Sequence, residues 1–297
     1  MGCGDMEHFV TYLQYLEYEK RYSPHTINAY RRDLSQFESF LSGNGIENVA
    51  VDFRVIRRWV VALCNKGNTS RTVNRKIAAL RSFFYYLMKK GLITINPLEK
   101  VGLLKVDKNL PVFVSTGKLD ELLDDEPIDI GDFKVMRNTM ILELFYMTGM
   151  RLSELIHLKD NDVDFGAMTV KVLGKRNKER IIPLTELFCS KLRQYMSLKN
   201  STFSKTDMLF VLDSGKPLYE RWVQRLIRLE LGTVTTMDKR SPHVLRHSFA
   251  TNILDNGADL NAIKELLGHA NLAATQVYTH SSLSRIKKVY QQAHPRA

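Results

Sequence analysis

Several marks of exported, membrane or metal-dependent proteins are missing from this chain. Its three cysteines, Cys3, Cys64 and Cys189, are odd in number and far apart within 297 residues. That spacing argues against a disulfide framework and a cysteine zinc site, and it fits a reducing cytosol. No apolar run approaches the roughly 18 residues needed to span a bilayer. The opening MGCGDMEHFVTYLQYLEYEK has no basic region followed by an apolar one, so no signal peptide is predicted. The polar stretch around Cys3, bracketed by glycines, reads as a disordered tail. There is no internal repeat and no low-complexity tract. A Walker loop and a dinucleotide fingerprint are also missing. So is any acidic cluster of the kind that holds two metal ions.

Acidic residues are scarce where basic ones are dense. No Asp or Glu occurs between Asp52 and Glu99, while that stretch carries ten basic residues: Arg54, Arg57, Arg58, Lys66, Arg71, Arg75, Lys76, Arg81, Lys89 and Lys90. Residues 1–108 hold 17 Lys+Arg against 10 Asp+Glu, and residues 109–297 hold 26 against 22. The net charge of +11 points to a polyanionic partner. A solvated helix face normally mixes both signs, so the acid-free stretch reads as a phosphate-facing surface.

What is present divides into two parts, as the length suggests. The fold class predicted is mainly α with a small antiparallel β-sheet. Residues 1–98 read as a four-helix domain. Ser23 can cap a helix with Pro24 in its first turn, followed by Ile27, Tyr30, Leu34, Phe37 and Leu41 at helical spacing. Thr69 or Ser70 can cap another, with the stripe Val73, Ile77, Leu80, Phe84 and Leu87 and a stop at Gly91. Helices near 6–19 and 53–65 complete the unit. The aromatic run Phe83–Tyr86 reads as core rather than as a base-stacking surface. Asn96-Pro97 ends the unit, because proline disfavours helical geometry before it. Residues 99–111 read as a linker that lets two domains close around a duplex. In residues 112–297, a buried helix at 133–148 ends at Gly149. Strands at 169–173 and 180–184 flank a turn, and the remainder from about 186 is mostly helical.

Six residues of the second part make one chemical proposal: Arg151, Lys175, His243, Arg246, His269 and Tyr278. Arg151 follows the break at Gly149, where Arg151 or Ser153 opens the next turn. His243 and Arg246 lie three apart at a helix start marked by Ser241 and Pro242, on one face, where a helix N-terminus favours phosphate. Two guanidiniums can each grip phosphate oxygens bidentately. A salt bridge from Arg151 to Glu154 is the competing use of that arginine. Lys175 lies in the turn between the two strands, where it could protonate a leaving oxygen; Lys178 is its rival. His269, nine residues before Tyr278, could bond a phosphate oxygen or position the tyrosine. A tyrosine hydroxyl is only ~0.1% ionised at neutral pH, and lowering its pKa by about three units needs ~4 kcal/mol of differential stabilisation. Nearby cations and a base can supply it. No metal and no cofactor is called for.

These residues in this order resemble the tyrosine recombinases, and within them the Xer site-specific recombinases of bacteria. The resemblance runs through Ser23-Pro24-His25-Thr26, Tyr30-Arg31-Arg32-Asp33-Leu34, Asn74-Arg75-Lys76 and Asn96-Pro97-Leu98. It continues with Leu110-Pro111, Thr148-Gly149-Met150-Arg151-Leu152-Ser153-Glu154-Leu155 and His243-Val244-Leu245-Arg246-His247-Ser248-Phe249-Ala250-Thr251. Leu267-Gly268-His269, Tyr278-Thr279-His280 and His294-Pro295-Arg296-Ala297 complete it. It implies an N-terminal DNA-binding domain and a C-terminal catalytic domain. Tyr278 would form a 3′-phosphotyrosyl link, with Arg151 and Arg246 on the phosphate and His269 supporting it. Lys175 would be the general acid and His243 the general base. It further implies a cytoplasmic, nucleoid-associated enzyme on double-stranded DNA at a specific recombination site, with no membrane. Four copies, or copies of this chain with a related recombinase, would exchange strands through a Holliday junction. A DNA translocase activates some members. The C-terminal helix, about 284–292, would dock into a neighbouring subunit through Leu283, Ile286 and Val289 or Tyr290. One departure is Arg176, where the family often has glycine. The absence of an added domain after Tyr278 or before the first helix leans towards a Xer-like enzyme.

Chromosome dimer resolution leads among the roles. A mobile-element integrase or DNA invertase, a non-catalytic DNA-binding relative and a type IB topoisomerase share features with it. The basic stretch makes a prediction of its own. Affinity for duplex DNA should fall by several orders of magnitude between about 50 and 200 mM salt. Gel retardation across that range measures it, and a flat response would remove residues 53–98 from the DNA surface.

Overall fold

The computed structural model describes residues 3–46, 51–106, 113–124, 131–174, 178–203, 206–268 and 289–294. The chain divides into two compact units, Met1–Asn109 and Leu110–Ala297. Among the described residues, no helix is long and apolar enough to cross a membrane.

Four helices build the first unit: α1 (Cys3–Gln14), α2 (Pro24–Gly43), α3 (Phe53–Asn65) and α4 (Ser70–Lys89). Helix α1 starts at Cys3 rather than leaving that stretch as a tail, and it runs on as a π-helical turn over Tyr15–Glu19. Once Tyr12, Leu13 and Leu16 are buried, extending the helix outward costs little. Ser23 caps α2 by accepting from Thr26 N, and Thr69, rather than Ser70, caps α4 by accepting from Thr72 N. The predicted stripes are buried, with Tyr30 at their edge. Phe83, Phe84 and Tyr86 lie in the core, whereas Tyr85 is exposed.

Two of the ten basic residues face inward. Lys76 Nζ donates to buried Asp33 at 3.0 Å, and Arg75 pairs with the same carboxylate. Arg81 Nη2 donates to Val101 O at 2.7 Å. Asn74 exchanges two hydrogen bonds with the main chain of Leu104, both 2.8 Å. Leu98 and Val101 are buried in this core. Residues 99–104, expected as linker, therefore pack on α4. Arg54, Arg57, Arg58, Lys66, Arg71, Arg75, Lys89 and Lys90 stay exposed.

The second unit forms around α6 (Phe133–Thr148), whose residues from Met140 onward are all buried. Helices α5 (Thr116–Asp124), α8 (Glu186–Thr202) and α10 (Pro242–Asp255) pack against it. A short α7 (Leu152–Leu155), α9 (Glu220–Val234) and α11 (Leu260–Leu267) are further helices of this unit. The sheet is antiparallel, in the order β1 (Val163–Asp164), β2 (Thr169–Leu173), β3 (Glu179–Pro183). Val170 pairs with both Val163 and Ile182, and Leu173 with Glu179. The two longer strands and α6 lie where the sequence pattern places them, to within a residue.

Residues 289–294 are held by their own unit. Residues 289–293 are helical, with Tyr290 and Ala293 buried in the same core as α6. His294 stacks on Tyr290 at 4.8 Å between ring centroids and lies against Tyr146 and Phe249. Asn256 Nδ2 donates to Ala293 O at 2.8 Å. The earlier part of the predicted docking helix, 284–288, lies outside the described residues.

Gly149 is the hinge on which the site depends. It ends α6 with φ 57°, and a Cβ there would stand 2.4 Å from Phe249 Cδ1. Gly257 has φ 85° but open space around it. Gly149→Ala should therefore cost more than the roughly 1–2 kcal/mol of left-handed backbone strain alone, and Gly257→Ala about that amount. Equal shifts in melting temperature for the two variants would refute the predicted clash with Phe249.

Candidate active site

Three loops converge where α6 ends. After Gly149 and fully buried Met150, Arg151 opens α7 in an extended conformation. Its main-chain N–H donates to Glu154 Oε2 at 2.7 Å and its Nη1 to Glu154 Oε1 at 2.8 Å. The competing salt bridge is thus present, but it does not consume the guanidinium. Nη2 reaches Gly268 O at 3.2 Å, and the side chain remains 32% exposed.

Arg246 sits on the second turn of α10, with Ser241 at the N-cap and Pro242 first in the helix. Its Nη1 donates to Gly149 O at 2.6 Å and its Nη2 to Leu267 O at 2.7 Å. Main-chain carbonyls are neutral, so they orient the guanidinium without cancelling its charge. Burial, then the charges of Arg151 and Arg180, pull its pKa down to about 10, with Glu154 acting the other way. Arg246 stays cationic at neutral pH but is under-compensated. His243, one turn earlier, is exposed. The start of α10 is fixed by Ser248, whose Oγ accepts from Val114 N at 2.8 Å and donates to Val244 O at 2.9 Å.

Sequence reasoning missed the third cation. Arg180 Nη1 and Nη2 donate to Glu154 Oε1 and Oε2, both at 2.8 Å, and its Nε donates to Leu266 O at 2.8 Å. The signal was strand alternation. Arg180 shares the core-facing side of β3 with Ile182, and a buried arginine must be paired. Burial alone would push the Glu154 carboxyl up, but the hydrogen bonds and charge of Arg180, with those of Arg151, hold it below the ordinary range. Among the described residues of this cluster, two guanidiniums, those of Arg151 and Arg180, pair with the one carboxylate, and Arg246 adds a third cation held by carbonyls alone.

Arg151, His243 and Arg246 are thus placed by the fold, and both arginines meet in one cluster. Lys175, His269 and Tyr278 lie outside the described residues. Their neighbours do not. Gly174 N donates to Lys178 O at 2.8 Å across the turn that contains Lys175, and Gly268 directly precedes His269.

Known proteins resemble this chain over most of its length. Residues 119–285 match the phage integrase family, and residues 9–91 match the phage integrase N-terminal SAM-like domain. The chain is 39% identical over 294 residues to tyrosine recombinase XerC of Bacillus subtilis (strain 168), covering 96% of this chain and 95% of that one. It is 36% identical over 290 residues to tyrosine recombinase XerD of Staphylococcus aureus (strain Mu50), covering 96% and 98%. Among solved structures, XerH recombinase bound to its palindromic difH substrate after cleavage shares the fold. The TM-score is 0.70 at 22% identity, over 91% of this chain and 77% of that one. The Tn1549 transposon integrase (residues 82–397) with circular intermediate DNA does so too, with a TM-score of 0.69 at 20% identity, covering 95% and 98%. This chain, with its helical N-terminal unit and an arginine cluster at the end of α6, belongs to the phage integrase family as a Xer-type tyrosine recombinase.

Proposed function

We propose that this recombinase cuts and rejoins double-stranded DNA at a specific site with Tyr278 as nucleophile. The carrying observation is the excess of cation. Arg151 and Arg180 pair with the one carboxylate, Glu154, while Arg246 is held by neutral carbonyls beside a helix start. A phosphodiester placed there supplies the missing anion. The Tyr278 oxygen attacks phosphorus, its proton passes to His243, and the bond from phosphorus to the 5′-oxygen breaks. Lys175 gives that oxygen a proton, and a 3′-phosphotyrosyl link remains. Arg151 and Arg246 stabilise the added charge of the transition state, and His269 supports the phosphate. Attack by a 5′-hydroxyl of another strand reverses each transfer, so no external energy source is consumed.

The same reading extends to assembly. Four subunits on two duplexes, this chain alone or with a related recombinase, exchange strands through a Holliday junction. The exposed basic residues of the first unit hold the DNA backbone. The pocket that receives Tyr290 within the chain is the surface a neighbour's tail would fill. Chromosome dimer resolution in the cytoplasm, on the nucleoid and under a DNA translocase, is the role proposed.

Incubation with a nicked recombination site and a denaturing gel tests the chemistry. The wild-type chain should give a covalent protein–DNA band. Tyr278→Phe should abolish it while leaving gel retardation intact. Arg246→Ala should slow its formation about 100- to 1000-fold. A band that survives Tyr278→Phe would assign the nucleophile elsewhere. No band from the wild-type chain on a site it binds tightly, either alone or with a related recombinase and a translocase added, would overturn the catalytic reading.

A further inference from the structure

Arg180 stands where three segments of the site meet, and the mechanism above leaves it without a role. Its guanidinium holds both oxygens of Glu154 at 2.8 Å, and the same carboxylate holds the main chain and Nη1 of Arg151. Its Nε holds Leu266 O, two residues before Gly268. A Cβ built on Gly268 would stand 3.2 Å from Arg180 Cδ, and one on Gly174 would stand 3.6 Å from its Nη1 and 3.5 Å from Glu154 Oε1. So the ion pair touches the loop of Arg151, the base of the turn that contains Lys175, and the glycine before His269.

A buried ion pair does not by itself stabilise a fold more than apolar packing would. What it supplies is direction. A guanidinium presents its donors in one rigid plane, and here they fix a carboxylate and a carbonyl at once. We propose that Arg180 is a positioning residue for strand cleavage. It aligns Arg151 on the phosphate and, through the base of the β2–β3 turn, places the general acid at the leaving oxygen. The inference rests on the roles given to Arg151 and Lys175 above.

The test uses Arg180→Lys and Glu154→Gln in the full chain. Lysine keeps the charge but loses the fork, and glutamine keeps the shape but loses the charge. Each variant is checked by thermal melting and gel retardation, and rates are compared at a temperature where it and the wild type are both folded and bind the site alike. Single-turnover formation of the covalent complex is then measured on two nicked sites. One carries the ordinary 5′-bridging oxygen and the other sulfur at that atom. Sulfur departs as thiolate without needing a proton, so it removes the demand for a general acid. The expected result is a fall of about 100-fold on the oxygen site and a clearly smaller one on the sulfur site. Wild-type rates would overturn the proposal. So would equal losses on the two sites, because Arg180 would then have no part in placing the acid. If the wild-type chain forms no covalent complex on the oxygen site, the underlying reading of function fails first, and the two failures are thereby distinguished.

Discussion

The carboxylate of Glu154 is the constraint on which the catalytic unit depends. It is buried, ionised and shared by two guanidiniums. A carboxylate in that position is costly unless every oxygen is bonded, and removing one partner of such a pair typically costs about 3–5 kcal/mol. The surrounding main chain has little freedom as a result. Arg151 must leave α6 in an extended conformation, β3 must present Arg180 on its inner side, and α11 must end beneath both. Arg246 adds charge that Glu154 cannot balance. The site is thereby stable as a scaffold and incomplete as an electrostatic object, a state that suits a phosphate-binding enzyme before its substrate arrives.

Much of this was legible in the sequence because the relevant signals are local. Gly149 at the end of an apolar run, Ser23 before Pro24 and alternation over 169–173 each report a backbone requirement within a few residues. Arg151 and Arg246 could be singled out for the same reason, each standing beside a helix break or start. What could not be read is what depends on tertiary partners. The carbonyls of Gly149 and Leu267 that hold Arg246 belong to segments far apart in the chain. Arg180 looked like one more basic residue beside a basic turn, until the pairing of β2 with β3 turned it towards Glu154.

The first unit teaches the same lesson about charge. Ten basic residues without an acid looked like one continuous phosphate-facing surface. Folding divides them. Lys76 and Arg81 become internal fasteners, one to Asp33 and one to Val101, while eight others remain at the surface. Asp33, outside the acid-free stretch, supplies the counter-charge from α2. Net charge therefore survives as an argument about partners, but an individual cation has to be located before it is counted. The segment after Pro97 follows the same logic, since Arg81 and Asn74 bind it to α4 before it can act as a tether.

Several of the bonds that hold the arginines end on main-chain carbonyls: Gly149, Leu266, Leu267 and Gly268. A carbonyl is supplied by every amino acid, so side chains at such positions can drift without disturbing the grip. Selection then falls on backbone shape, which is why the two left-handed positions among them are glycines. An active site anchored in this way tolerates wide divergence around it.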